Sequence, residues 1–131
     1  MGHDCAPYFA RTGDVIELEQ PMKFGAETAL IEMPISWSLD DFPHFEIWQT
    51  KGYHLQGLMA TKGVLQNWLG DFDYMTQTTE WGVLTYTCHP FVSGRGHRML
   101  MLERLIAGLN QRGAVFMTME DAAAEWLQGK P

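Results

Sequence analysis

Between residues 83 and 98 the chain changes its periodicity twice, and this narrows the folds open to it more than any other feature. Val83, Leu84, Thr85, Tyr86 and Thr87 are β-branched, aromatic or aliphatic, which suits a buried strand. Pro90, Gly94 and Gly96 break the run, and an amphipathic helix follows. Strand, loop and helix together are the repeating unit of α/β folds, which place their chemistry at the C-terminal tips of strands. His89 stands at that tip. Two readings of it are open: a catalytic imidazole, or a turn residue before proline whose ring is satisfied locally.

The rest of the chain alternates in the same way. Residues 1–13, with Pro7 and Gly13, read as a loop, and 14–18 as a short extended piece. Residues 29–35 read as a mostly buried strand ending near Pro34, and 36–44 as a polar and aromatic loop. Over 61–79, Val64, Leu65, Trp68, Leu69, Phe72 and Met75 form a helical stripe. A second stripe, Leu100, Met101, Leu105 and Leu109, predicts a helix over 97–111, with Gly113 as the glycine beyond its end. Residues 114–117 predict a short strand. Thr118 followed by Glu120 and Asp121 resembles a capping box, which opens a last helix to about residue 128. Both stripes are read as core.

This order predicts an α/β chain with a mainly parallel sheet. The 131 residues, 46% hydrophobic and 19% charged, suit one domain with a real core. Only about three strands are convincing, too few for a parallel sheet to hide its edges, so the chain reads as part of a larger unit. A net charge of −7 and nine dispersed Lys and Arg residues argue against a nucleic-acid partner. Cys5 and Cys88 match no metal or redox spacing and read as thiols, although the two could pair. No basic leader and no apolar run of membrane-spanning length occurs, so the expectation is a cytoplasmic protein without a membrane partner.

Two long motifs carry a family resemblance. Ile31-Glu-Met-Pro-Ile-Ser-Trp-Ser-Leu-Asp-Asp-Phe-Pro-His-Phe45 is followed by Thr87-Cys-His-Pro-Phe-Val-Ser-Gly-Arg-Gly-His-Arg98 and Met101-Leu-Glu-Arg-Leu-Ile106. Over nearly its whole length the chain resembles the C-terminal half of polysaccharide deacetylases, the NodB-homology carbohydrate esterases. Within them it is most similar to the cytoplasmic peptidoglycan-deacetylase-like and allantoinase-like branch. The resemblance implies that residues 1–131 are a single domain, the C-terminal portion of a distorted (β/α) barrel of the NodB type with few parallel strands and covering helices. It implies a hydrolase of C–N bonds in an N-acetyl sugar or related amide. In such enzymes an aspartate acts as base on a metal-bound water, an aspartate and two histidines hold the metal, and a histidine of the last motif protonates the leaving amine. The last of these roles carries over to His89, and an imidazole titrating near neutrality suits it.

The loop holding Trp37, Asp40 and Asp41 is expected to open onto the same rim as His89. Trp37 is read as an apolar wall of the substrate pocket or as a core or lid aromatic. Asp40 or Asp41 would orient His89, raising its pKa and fixing its tautomer, or contact substrate; the alternative is a solvated turn, which suits Asp41 better than Asp40. Arg95, with His97 and Arg98, would bind an anionic group or secure the loop and a contact between subunits.

The departures from the family matter equally. Its Thr-Phe-Asp-Asp type strand end is absent, and His3, His44, His54, His89 and His97 never show the His-x-x-x-His spacing. The expectation is therefore no metal in this chain, with a zinc-like divalent ion bound only when the N-terminal half is present. The adjacent His3, Asp4 and Cys5 offer ligand types but not the geometry to close a site. Two functions follow: part of a deacetylase, inactive alone, whose partners are its complementary half and a glycan or small-molecule substrate; or a truncated, non-catalytic module that buries its sheet edge as a homo-oligomer.

Overall fold

The computed structural model describes residues 5–129. Two helices carry the core, α2 (Thr61–Thr78) and α4 (Gly96–Gln111). Val64, Trp68, Phe72 and Met75 recur along one face of α2 and are buried against Met101, Leu105 and Leu109 of α4. Gly108 sets how closely the helices approach, since a Cβ there would stand 3.0 Å from Leu69 Cδ2. Leu100, expected in the stripe, is 53% exposed. The row 101, 105, 109 faces α2, and a neighbouring residue lies about 100° around the helix from it. Both helix ends follow the sequence signals: Gly113 follows α4 with φ +81°, and Thr118 accepts from the Asp121 amide (3.1 Å) to cap α5 (Met119–Leu127).

The strands differ from expectation. β1 (Tyr8–Thr12) pairs antiparallel with β2 (Ala26–Glu32), in register Tyr8 with Glu32 and Arg11 with Glu27, with a bulge between Phe9 and Arg11. The loop expected over residues 1–13 thus holds a strand, and β2 is largely exposed where a buried strand was expected. The extended piece at 14–18 is reduced to a single bridge between Val15 and Lys23. A second antiparallel hairpin, β3 (Trp48–Thr50) with β4 (Tyr53–Leu55), has no counterpart in the sequence reading.

Residues 83–87 are half-buried but are not a sheet strand, nor are 114–117. A strand is defined by its ladder, and among the described residues no neighbouring strand lies beside either segment. The parallel pairing that does occur is one bridge, Asp40 with Thr87. The fold is therefore mixed helix and strand with two small antiparallel sheets rather than a parallel sheet. No helix among the described residues is long and apolar enough to cross a membrane, and no disulfide joins Cys5 to Cys88.

Candidate active site

The Asp40 to Thr87 bridge builds the site. Thr87 N–H donates to Leu39 O (2.9 Å) and Asp41 N–H donates to Thr87 O (3.0 Å), which clamps two segments far apart in sequence. Each then turns into a short helix. Asp40 caps α1 (Asp41–Phe45) by accepting from Phe42 N–H (2.8 Å), and His89 is the N-cap residue of α3 (Pro90–Ser93), where Pro90 fits because its missing N–H would have no helical partner. The loop expected over 36–44 is in fact a 3-10 turn, Trp37–Leu39, followed by α1. His44 Nε2 (2.8 Å) and Trp68 Nε1 (2.7 Å) both donate to Ser38 O and hold this turn on the core.

Asp41 is 0% exposed, which corrects its reading as a solvated turn residue. Its Oδ1 accepts from His89 Nδ1 (2.7 Å), and its Oδ2 accepts from His89 N–H (2.9 Å) and Ser93 Oγ (2.5 Å). Burial of a carboxylate is costly without such partners, and here three donors meet it. Asp40 Oδ1 lies 3.7 Å from the same imidazole nitrogen. The hydrogen bond to Asp41 raises the His89 pKa above its ordinary 6.5; partial desolvation opposes this, and the charges of Asp41 and Asp40 reinforce it. The carboxylate also places the proton of the neutral tautomer on Nδ1. Among the described residues Nε2 makes no hydrogen bond, and the side chain is 35% exposed.

Aromatic rings flank the imidazole: Phe42 at 5.7 Å and Phe91 at 5.6 Å between centroids, with Trp48 6.0 Å beyond Phe42. Sequence reasoning missed these rings and Ser93. The available signal was Ser93 lying one helical turn after His89, and Phe42 directly after Asp41. Trp37 is 77% exposed, and no ring contact joins it to His89. The Arg95 side chain is exposed, and no hydrogen bond of it is seen among the described residues. Its neighbour Arg98 is the buried one, at 6% exposure. Arg98 donates to Glu46 Oε1 (2.9 Å), Val92 O (2.9 Å) and Phe45 O (3.0 Å), so it ties the end of α1 to α3 and keeps Asp41 and His89 in register.

Asp40, Asp41 and His89 each offer a ligand atom, all within 4.8 Å of one another. They do not fit a divalent metal well. Both Asp41 oxygens already accept hydrogen bonds, and His89 Nδ1 holds a proton toward Asp41, leaving it no lone pair for an ion. This trio is arranged to position and charge an imidazole. His3 and Asp4 lie outside the described residues.

No family model matches the chain. It is 31% identical over 142 aligned positions to the peptidoglycan deacetylase of Helicobacter pylori, an alignment that takes in 100% of this chain and 48% of that protein. The chain thus spans about half the length of the relative it matches. The two long motifs fall within this similarity, which runs along the whole chain and likens it to about half of a peptidoglycan deacetylase.

Proposed function

We propose that this chain supplies the proton donor of a deacetylase-like hydrolase that cleaves the C–N bond of an N-acetyl group on a glycan. The observation that carries the reading is the imidazole of His89, fixed through Nδ1 by the buried Asp41 at 2.7 Å with Nε2 left without a protein partner. Water adds to the acetyl carbonyl carbon, and the tetrahedral adduct collapses with breakage of the C–N bond. The departing nitrogen takes its proton from Nε2, and His89 passes from imidazolium to imidazole. Asp41 keeps its hydrogen bond to Nδ1 throughout, so the ring neither rotates nor changes tautomer. The raised pKa enlarges the share of the donor form over that of an unperturbed imidazole. Phe42 and Phe91 flank the imidazole.

The groups that activate water, including any divalent metal, belong to the part of the deacetylase outside this sequence. The isolated chain is accordingly expected to show no turnover. The test is a chimera joining this chain to the remaining half of the Helicobacter pylori relative, in that protein's own order. His89→Ala should lower deacetylation of an N-acetylglucosamine oligosaccharide by about 10²- to 10⁴-fold with bound metal unchanged. Activity within a few fold of the parent, or metal lost together with activity, would overturn the assignment.

A further inference from the structure

The chain between α1 and α2 leaves the site and returns to it. Met59 N–H donates to His44 O (2.9 Å), and Gly57, at φ +55°, passes so close to the end of α1 that a Cβ there would run into Glu46 O. Residues 46–59 are thereby pinned at both ends to α1, the helix that carries Asp41, and between the pins they form the β3–β4 hairpin. Its register pairs Thr50 with Tyr53 and Gln49 with His54. Side chains alternate along a strand and cross-strand partners share a face, so Trp48, Thr50 and Tyr53 stand on one face, and Gln49 and His54 on the other.

The Trp48 face continues an aromatic row that begins at the imidazole. His89 touches Phe91 (5.6 Å) and Phe42 (5.7 Å), and Phe42 touches Trp48 (6.0 Å), whereas no ring contact joins Trp48 to His89 among the described residues. Trp48 is 52%, Tyr53 57% and Phe91 63% exposed. Neither Trp48 Nε1 nor Tyr53 Oη makes a hydrogen bond among the described residues. Exposed aromatic surface continuous with a reactive group marks a ligand groove, and these rings are flat apolar bodies with a polar edge. A pyranose has the matching build: its C–H face stacks on a ring, and its hydroxyl rim reaches the indole N–H and the phenol. Trp48, Thr50 and Tyr53 carry no charge, and Asp40 beside His89 would repel an anion, so the fit is to a neutral sugar.

We propose that Trp48 and Tyr53 form a stacking subsite for the sugar next in the glycan to the one whose nitrogen His89 protonates. The β3–β4 hairpin thereby makes a chain of neutral N-acetyl sugars a better substrate than a single one. The proposal rests on the deacetylase reading above. A sugar held away from the reacting bond is bound alike in the ground state and the transition state, so its contacts appear in KM and not in kcat. This readout differs from that of His89, and binding is measurable without turnover, so failure of the subsite is separable from failure of the proton-donor role.

The isolated chain is titrated with an N-acetylglucosamine tetramer and, separately, with the monosaccharide, and the indole N–H resonances are followed by NMR. The Trp48 signal, identified by its loss in Trp48→Ala, should shift and saturate at millimolar tetramer, with the monosaccharide bound about 10-fold more weakly or less. Calorimetry should show Trp48→Ala weakening tetramer binding by about 10-fold, and Trp48→Phe, which keeps a stacking ring, recovering most of it. His89→Ala should leave the titration unchanged, whatever it does to turnover. In the chimera described above, Trp48→Ala should raise KM for the tetramer about 10-fold while kcat stays within about 3-fold. A Trp48 signal that stays still at millimolar tetramer would overturn the proposal, and this arm does not require the chimera to fold. Equal binding of the tetramer by the parent and Trp48→Ala would overturn it too. So would a chimera in which Trp48→Ala lowers kcat and leaves KM unchanged.

Discussion

Replacing Asp41 tests the arrangement around His89 on the isolated chain, without any need for turnover. In Asp41→Ala, three donors lose their acceptor: His89 Nδ1–H, His89 N–H and Ser93 Oγ–H. The imidazole is partly exposed and recruits water, so its share is small. The His89 amide and the buried Ser93 hydroxyl have no such recourse, and each buried donor left unsatisfied costs roughly 1–3 kcal/mol. The expected loss is thus about 2–6 kcal/mol, or on the order of 10–20 °C in Tm for a chain of this size. Asp41→Asn separates charge from shape, because the amide keeps the volume and most of the hydrogen bonding but not the negative charge. NMR titration of the His89 Cε1 proton should give a midpoint above 6.5 in the parent, and a lower one in Asp41→Asn. An imidazole whose folded pKa lies above its unfolded value contributes stability that is complete below pH 6.5 and is lost as pH rises through the folded pKa. The advantage of the parent over Asp41→Asn should therefore shrink as pH rises above 6.5. A His89 midpoint that does not move in Asp41→Asn would refute the electrostatic coupling, whatever the change in Tm.

Two further outcomes follow from the packing. Arg98→Lys keeps the charge but cannot reach Glu46 Oε1, Val92 O and Phe45 O together, so denaturant unfolding should show a loss of about 2–4 kcal/mol, and an unchanged midpoint would count against the α1 to α3 tie. Gly108→Val puts branched carbon where a Cβ alone stands 3.0 Å from Leu69 Cδ2, and forcing the helices apart should cost about 1–3 kcal/mol in the same assay; a neutral result would mean that the α2 to α4 spacing is set elsewhere.

Much of this protein follows from local chemistry, because the signals lie within one or two helical turns. The stripe through Val64, Trp68, Phe72 and Met75 determines α2 and its buried face, and Gly113 and Thr118 mark where α4 ends and α5 begins. His89 too was legible, as the residue ending a β-prone run. What surrounds it was not. Asp41 lies 48 residues away, and its burial comes from the bridge between Asp40 and Thr87 and from the clamp of Arg98 across α1 and α3. No local pattern separates a carboxylate that faces water from one that meets three donors. The strands show the same division. Residues 83–87 and 114–117 have the composition of strands, yet pairing is a property of two segments, and among the described residues neither has a neighbouring strand. Sequence alone sets each segment's preference; only the tertiary structure, through which backbone groups find partners, decides whether that preference becomes a sheet, an open edge or a positioned histidine.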